Sequence, residues 1–343
     1  MYTIYSNAHT ANRKKIIILD SSDSDGFGGG QYYLRRLFLG LINKFDVFLI
    51  SNNKLQELYL LGEYKCRTDF SIDDFSFSDV DKILVNDLTG VVRNLFLLIK
   101  NRNISLPIIH MRLDASSKSN FGRSALKGYL SGMALSFLFR KTLTVSRQNK
   151  KFLFGTGEYI GNGIEYRQSI SSSVKNIDVI WIGRLSNEKD PIKFLSVCKV
   201  LFENKSISKA LIVGDGPLAD TLVNTINNFG LNNCISYIGW RDSESIFSHL
   251  QESKVLMITS LHEGLPTVAL EALMSDVKVV ITNGSDLDYW DTKWINVSGH
   301  SVDMLVYKYI ETIELNESIY KQKESLSFDA VVARVSSILD KDN

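Results

Sequence analysis

VLMITSLHEGLPTVALEALMSDVKVVIT (residues 255–282) reads as strand, turn, helix and strand. VLMITS and VKVVIT are short, continuous apolar runs rich in β-branched residues, and the segment between them carries apolar residues at helical spacing. Strands that are apolar throughout, rather than alternating, are buried on both faces, as in a parallel sheet covered by helices. The same alternation runs outward in both directions. KKIIILD (14–20), DVFLIS (46–51), KILVND (82–87), PIIHMRL (107–113) and TLTVS (142–146) read as strands of a first half. DVIWIG (178–183), KALIVG (209–214) and ISYIG (235–239) precede the opening stretch in a second. A chain of 343 residues exceeds one hydrophobic core, so the pattern predicts two α/β domains, each a doubly wound, Rossmann-like parallel sheet. Their expected bounds are 1–165 and 177–319. The serine-rich, aperiodic YRQSISSSVKN (166–176) is the expected linker.

Composition narrows the class. Hydrophobic residues make up 44% and charged residues 22%, the balance of a soluble globular protein. Cys66, Cys198 and Cys234 are few and widely spaced, which argues for a reducing compartment and against a disulfide framework or zinc site. The N-terminus has no apolar signal core, and the apolar-leaning YLSGMALSFLF (129–139) is too short to span a bilayer, so a cytoplasmic location is expected. Net charge is +1 but unevenly spread, with +7 over residues 1–165 and −6 over the rest. A basic half suits an anionic surface: phosphorylated lipid, nucleic acid or a membrane face. Uneven solvated faces would give the same asymmetry.

In doubly wound sheets, ligands bind beyond the carboxyl ends of the strands, so the strand-end turns carry the chemistry. DSSDSDGFGGGQ (20–31) is glycine-rich and opens a helix, which favours anions. It fits neither a Walker loop nor GxGxxG. Asp23 and Asp25 could hold a divalent ion with a diphosphate, although aspartates are also common turn formers. GRLSNEKDP (183–191) carries Arg184 and Lys189, two cations suited to a diphosphate leaving group or simply to a wet surface. GDGP (214–217) is a tight turn whose backbone could approach a flat base. In HEGLPTVALEAL (262–273), Pro266 is expected in the first helical turn. The N–H groups of Leu265, Thr267 and Val268 would then form an anion nest. Glu263 precedes that helix and Glu271 lies within it; carboxylates bind vicinal hydroxyls, and a negative Glu263 could stabilise an oxocarbenium-like centre.

GGGQYYLRRLFLGL, TVSRQNKKFL, YIGNGIE, VIWIGRLSNEKDP, ALIVGDGP, ISYIGW and HEGLPTVALEAL, in this order, resemble the group 1 glycosyltransferases. These are retaining, nucleotide-sugar-dependent enzymes (family 4) of the GT-B fold, in which two such domains face a central cleft. The resemblance covers roughly residues 14–285 and is strongest over 178–275. It implies transfer of a hexose-type sugar from a nucleotide diphosphate, UDP favoured and GDP possible, to a hydroxyl of a glycan or lipid-linked acceptor. Bacterial surface-polysaccharide synthesis, such as O-antigen, capsule or lipopolysaccharide, is the implied setting. Arg184 and Lys189 match the family's diphosphate cations, Glu263 the glutamate near the transferred sugar, and Glu271 the one on the ribose. Gly214, Asp215, Gly216, Pro217, Gly239 and Trp240 match loops near the base. Gly264, Leu265, Pro266 and Thr267 match the turn beside the donor. Gly29 and Gly30 match the loop over the donor phosphates, and His110 a histidine near the sugar.

No cofactor and no metal ion are implied, and no nucleic-acid partner. The final segment, about 320–343, is implied to return to the first domain. Three places depart from the family pattern: Asp190, where glycine is common; Asp276 and Lys278, where glycine and proline usually precede the next strand; and NGSD (283–286). These departures leave the sugar open. Arg123, Lys127, Arg140, Lys141, Arg147, Lys150 and Lys151, mixed with apolar residues over 121–155, suit peripheral contact with an anionic membrane or a core with a solvated basic edge. A nucleotide-sugar epimerase or phosphorylase of similar fold, or a non-catalytic sugar-binding protein, are the rival readings.

Overall fold

The computed structural model describes residues 2–6, 13–20, 29–51, 65–70, 77, 79–109, 121–166, 174–261, 263–290, 293–315 and 320–341. Asp23, Asp25, His110 and most of the expected linker lie outside the described residues. The chain divides into two compact units, Met1–Asn162 with Phe328–Asn343, and Gly163–Ser327.

The first unit holds β1 (Tyr2–Ser6), β2 (Lys15–Asp20), β3 (Asp46–Ser51), β4 (Lys65–Phe70), β5 (Lys82–Asn86), β6 (Ser105–Ile109), β7 (Thr142–Thr144) and β8 (Gly157–Tyr159). They form one sheet in the order β4-β1-β3-β2-β5-β6-β7-β8. The six strands from β3 to β8 are parallel. The expectation of a purely parallel sheet is corrected at one edge, where β1 pairs antiparallel with both β3 and β4. YTIYS and KCRTDF mix polar and apolar residues, unlike the continuous apolar runs of the central strands. The central strands are apolar because helices cover both sides. α1 (Gly29–Leu41) packs on one face together with the final helix of the chain, Phe328–Asp340. α2 (Asp87–Arg93), α3 (Leu95–Lys100) and α4 (Phe121–Leu138) belong to the other face, where Val91, Leu98, Leu135 and Phe139 join one core. Gly40 makes the close contact between α1 and the final helix possible, since a Cβ there would lie 2.4 Å from Val332 Cγ2.

The second unit holds β9 (Ile177–Ile182), β10 (Ala210–Val213), β11 (Ile235–Tyr237), β12 (Ser253–Ile258), β13 (Lys278–Thr282) and β14 (Ile295–Ser298). The order is β11-β10-β9-β12-β13-β14, and every neighbouring pair is parallel. α5 (Pro191–Glu203), α6 (Ala219–Asn228) and α9 (Val302–Ile313) cover one face. α7 (Ser243–Gln251) and α8 (Thr267–Met274) cover the other. The chain builds outward from β9 through β10 to β11, then returns to lay β12 on the opposite side of β9. That reversal is the topological switch point of a dinucleotide-type sheet, the place where a crevice opens beyond the strand ends.

The division between units differs from the expected bounds at both crossings. An isolated parallel bridge joins Ile164 to Ser327, so 163–166 and 320–327 travel with the second unit. Tyr320 is held there by its N–H on Asp276 Oδ1 at 2.8 Å and by an edge contact with Trp294. The chain re-enters the first unit at Phe328, as α10 (Phe328–Asp340), rather than near 320.

Candidate active site

The loops after β9 and β12 flank the switch point, and hydrogen bonds knit them together. Trp181, on β9, donates from Nε1 to Thr259 Oγ1 at 3.0 Å. The Thr259 hydroxyl lies 3.0 and 2.8 Å from the Lys189 and Asp190 carbonyls. Leu261 N donates to the Glu188 carbonyl at 2.8 Å. Thr282, at the end of β13, donates its hydroxyl to the Ser260 carbonyl. Asp286 N reaches the Gly264 carbonyl at 2.8 Å, so the NGSD segment closes the same edge. Thr259, Ser260 and Thr282 are buried and form the frame on which the charged groups sit. Motif reading passes over them, because their partners are remote in sequence.

That frame brings Lys189 and Glu263 into direct contact. Lys189 Nζ lies 2.6 Å from Glu263 Oε1, and Ser260 Oγ donates to the same oxygen at 2.7 Å. Their side chains are 29% and 14% exposed, so the pair sits in the wall of the site with access from solvent. Arg184, in the same loop, is exposed and makes no ion pair among the described residues. The site thus presents one committed cation, one uncommitted cation and a carboxylate held on two sides.

Pro266 is the N-cap of α8 rather than a residue of its first turn, which corrects the expected placement. It offers no side-chain cap, and its carbonyl accepts from Ala269 N at 3.1 Å. The N–H groups of Thr267 and Val268 fall in the first turn, where a helix supplies no acceptor of its own. They point beyond the strand ends with the positive end of the dipole. Gly264 and Leu265 form the approach to this turn. Glu271 sits in the second turn, half-buried, with its carbonyl accepting from Ser275.

The glycine turns have a different cause from the one expected. Gly214 has φ of +137°, and a Cβ there would fall 1.8 Å from the Gly183 carbonyl oxygen. Gly216 has φ of +156°, with the Leu185 carbonyl oxygen 2.6 Å from such a Cβ. The backbone that approaches these glycines is that of the β9 loop, so GDGP first fixes Gly183–Leu185 in place. Gly214 N donates to the Gly239 carbonyl at 2.9 Å, which lines up the third turn. Asp215 turns its carboxylate onto Gly216 N at 2.7 Å, and Pro217 is exposed beside it. Gly239 takes φ of +71° in open space, followed by Trp240, which is 68% exposed. An indole so far out of the core at a strand end is a flat apolar surface available for stacking.

The departures from the family pattern are local and structural. Asp190 has φ of 50°, the left-handed region that glycine adopts freely and aspartate tolerates. Its carboxylate accepts from Lys193 N at 3.2 Å, which caps α5, and pairs with Lys193 Nζ at 2.6 Å. Asp276 likewise has φ of 56° and gathers Tyr320 N and Lys323 Nζ, the latter at 2.7 Å. Lys278 Nζ donates to the Leu315 carbonyl. The Asp276 and Lys278 contacts attach the 315–323 segment to the unit and leave the switch point untouched.

In the first unit the corresponding switch lies between β2 and β5. Buried Asn86 donates from Nδ2 to buried Asp20 Oδ1 at 3.1 Å at these strand ends. Gly29 and Gly30 are the first two residues of α1. Lys141 pairs with Glu158 at 3.1 Å, and Arg147 stacks over the Tyr159 ring at 5.0 Å.

Residues 163–289 match the sequence profile of the glycosyl transferases group 1. The match covers well under half of the chain and is a likeness of this segment to that family. It is 34% identical over 108 residues to a Campylobacter jejuni protein named as an α-1,4-N-acetyl-D-galactosaminyltransferase acting on a diphosphoundecaprenol-linked glycan. It is 34% identical over 105 residues to an Escherichia coli UDP-Gal:α-D-GlcNAc-diphosphoundecaprenol α-1,3-galactosyltransferase. These matches span 31% and 30% of this chain and only 29% and 27% of the relatives. The fold is shared more widely. A lipopolysaccharide outer core galactosyltransferase, WaaB, aligns over 94% of this chain and 98% of its own with a TM-score of 0.70 at 14% identity. The chain therefore shares the GT-B fold over nearly its whole length. The matched family segment contains Arg184, Lys189, Glu263 and Glu271, together with the switch point that positions them.

Proposed function

We propose that this protein is a retaining glycosyltransferase that moves a hexose-type sugar from a nucleotide diphosphate, UDP favoured and GDP possible, to an acceptor hydroxyl. The observation that carries the proposal is the Lys189–Glu263 pair at the switch point, with Arg184 and the α8 N-terminus beside it. A diphosphate set there meets two cations and a helix dipole, which supplies the charge stabilisation needed as its bond to sugar breaks, without a metal ion. Glu263, released from Lys189, lies where a sugar ring attached to that diphosphate would be. Trp240 offers a face for the base and Glu271 a carboxylate for the ribose hydroxyls.

In the proposed step the bond from the anomeric carbon to the phosphate oxygen breaks, and the electron pair leaves with the diphosphate. The acceptor oxygen bonds to the anomeric carbon on the same face, and its proton passes to the departing phosphate oxygen. Glu263 stabilises the positive charge that develops between these events. The relatives named for diphosphoundecaprenol-linked acceptors support a lipid-linked glycan acceptor in bacterial surface-polysaccharide synthesis. The test pairs calorimetry of UDP and GDP with a donor-hydrolysis screen and NMR of the product anomer. Binding of neither nucleotide overturns the donor assignment, and an inverted product overturns the retaining course.

A further inference from the structure

We propose that the outer faces of α2, α3 and α4 form a docking surface for an anionic lipid bilayer. The first observation is exposure. Phe96 is 91% exposed, Phe137 86% and Val92 70%, and Leu130, Met133 and Phe154 are about half exposed. These are large apolar side chains left facing solvent in whole or in part. The second is that they share one layer. Leu98 of α3, Leu135 of α4 and Phe139 just past the end of α4 pack into a single core on the same side of the sheet. Phe152 belongs to that core too, and neighbouring Phe154 meets Tyr129 of α4 edge-on at 5.1 Å. The side chains pointing away from that core therefore face outward together.

α4 makes the case most plainly. Its inner side carries Leu135, with Phe139 just past its end, while Tyr129, Leu130, Met133 and Phe137 follow at helical spacing on the outer side. From Gly128 to its end at Leu138 it contains no charged residue. A surface helix that is apolar on both sides has a second partner.

Charge identifies that partner. Between Leu88 and Gly157 the sequence contains twelve Lys and Arg and a single acidic residue, Asp114. Arg93 and Lys100 border the exposed residues of α2 and α3, and Arg140, Lys150 and Lys151 follow α4, all exposed. An apolar patch flanked by Arg93, Lys100, Arg140, Lys150 and Lys151 matches acyl chains beneath anionic headgroups. A protein partner would call for mixed signs. Among the described residues no helix is long and apolar enough to cross a membrane, so this layer lies on the surface. The inference goes beyond the transferase assignment and needs no donor site.

The experiment is flotation of the full chain with vesicles of phosphatidylcholine alone or with about a third phosphatidylglycerol, across a salt series. The wild type is expected to float with the anionic vesicles and to be released by salt. Arg140→Gln, Lys150→Gln and Lys100→Gln together remove three charges, each worth about a fivefold change in partition, so binding drops on the order of 100-fold. Phe96→Ser with Phe137→Ser is expected to weaken binding at least tenfold at fixed charge. Neither set touches the core or the switch point, so melting temperature and UDP affinity serve as controls for folding. Equal flotation with neutral vesicles, or none with anionic ones, overturns the proposal. So does a dimer in sedimentation that Phe137→Ser dissociates, which would make the face an interface between copies. Failure of UDP binding with intact flotation would count against the transferase reading alone.

Discussion

Replacing Glu263 with Gln should push donor binding and sugar transfer in opposite directions. In the free site Lys189 Nζ is held by Glu263 Oε1 at 2.6 Å. A diphosphate must draw the ammonium away from that oxygen and settle near a carboxylate of its own sign. Two unit charges about 4 Å apart interact by roughly 1 kcal/mol in water and about 4 kcal/mol near a protein surface. Solvent access to Lys189 places this competition at the lower end. Gln keeps the volume and an acceptor for Ser260 Oγ while removing the charge. UDP should therefore bind tighter by about 1 kcal/mol, roughly fivefold. Transfer should fall by about 10²–10³, the loss seen when one electrostatic stabiliser of a transition state is deleted. Titration calorimetry reads the first effect and initial rates with excess donor read the second. A correctly folded variant that binds UDP tenfold more weakly, or that transfers at the wild-type rate, refutes the reasoning.

Lys189→Met should weaken UDP by about 1.5–3 kcal/mol, the range for hydrogen bonds to charged groups, as measured by calorimetry. Gly214→Ala should destabilise the second unit by about 3 kcal/mol or more in urea, since a clash with the Gly183 carbonyl adds to backbone strain. Gly239→Ala, at positive φ in open space, should cost only about 1–2 kcal/mol. Burial lowers the Lys175 ammonium to about 8, although Asp276 acts the other way. Between pH 8 and 10.5 the unfolded state then binds more protons than the folded one, so stability contributed at this position rises with pH. Relative to Lys175→Met, the wild type should gain about 3 kcal/mol at most over that window in paired urea titrations; a flat difference would contradict it.

The alternation of apolar runs with helical segments made both parallel sheets legible, because strands buried on two faces leave an unmistakable composition. The elements that escaped lack a long continuous apolar run. β1 and β4 mix polar and apolar residues, and β8 and β14 are three and four residues long. At the site, the sequence located the turns but not their relations. Lys189 and Glu263 are 74 residues apart, and only the reversal of strand order makes them neighbours. The glycines of GDGP were visible, yet their reason is a carbonyl on another loop, which no local pattern encodes. Asp190 and Asp276 looked like losses from a motif. Their positive φ shows that the backbone shape was kept while the side chains took on capping and pairing roles.

The position of α10 beside α1 has a consequence for how the chain is made. Everything from Gly163 to Ser327 is synthesised after β8 and before that helix. At about 5–20 residues per second this interval lasts roughly 8–30 s, long enough for the second unit to fold. Throughout it the apolar side of α1 that Val332 will cover is bare. The first unit is therefore completed only after the second has been made, with α10 acting as a clasp for α1. Nascent chains arrested after Ser327 should hold a protease-resistant second unit beside a cleavable first one, and release of a further turn or two of helix should abolish the difference.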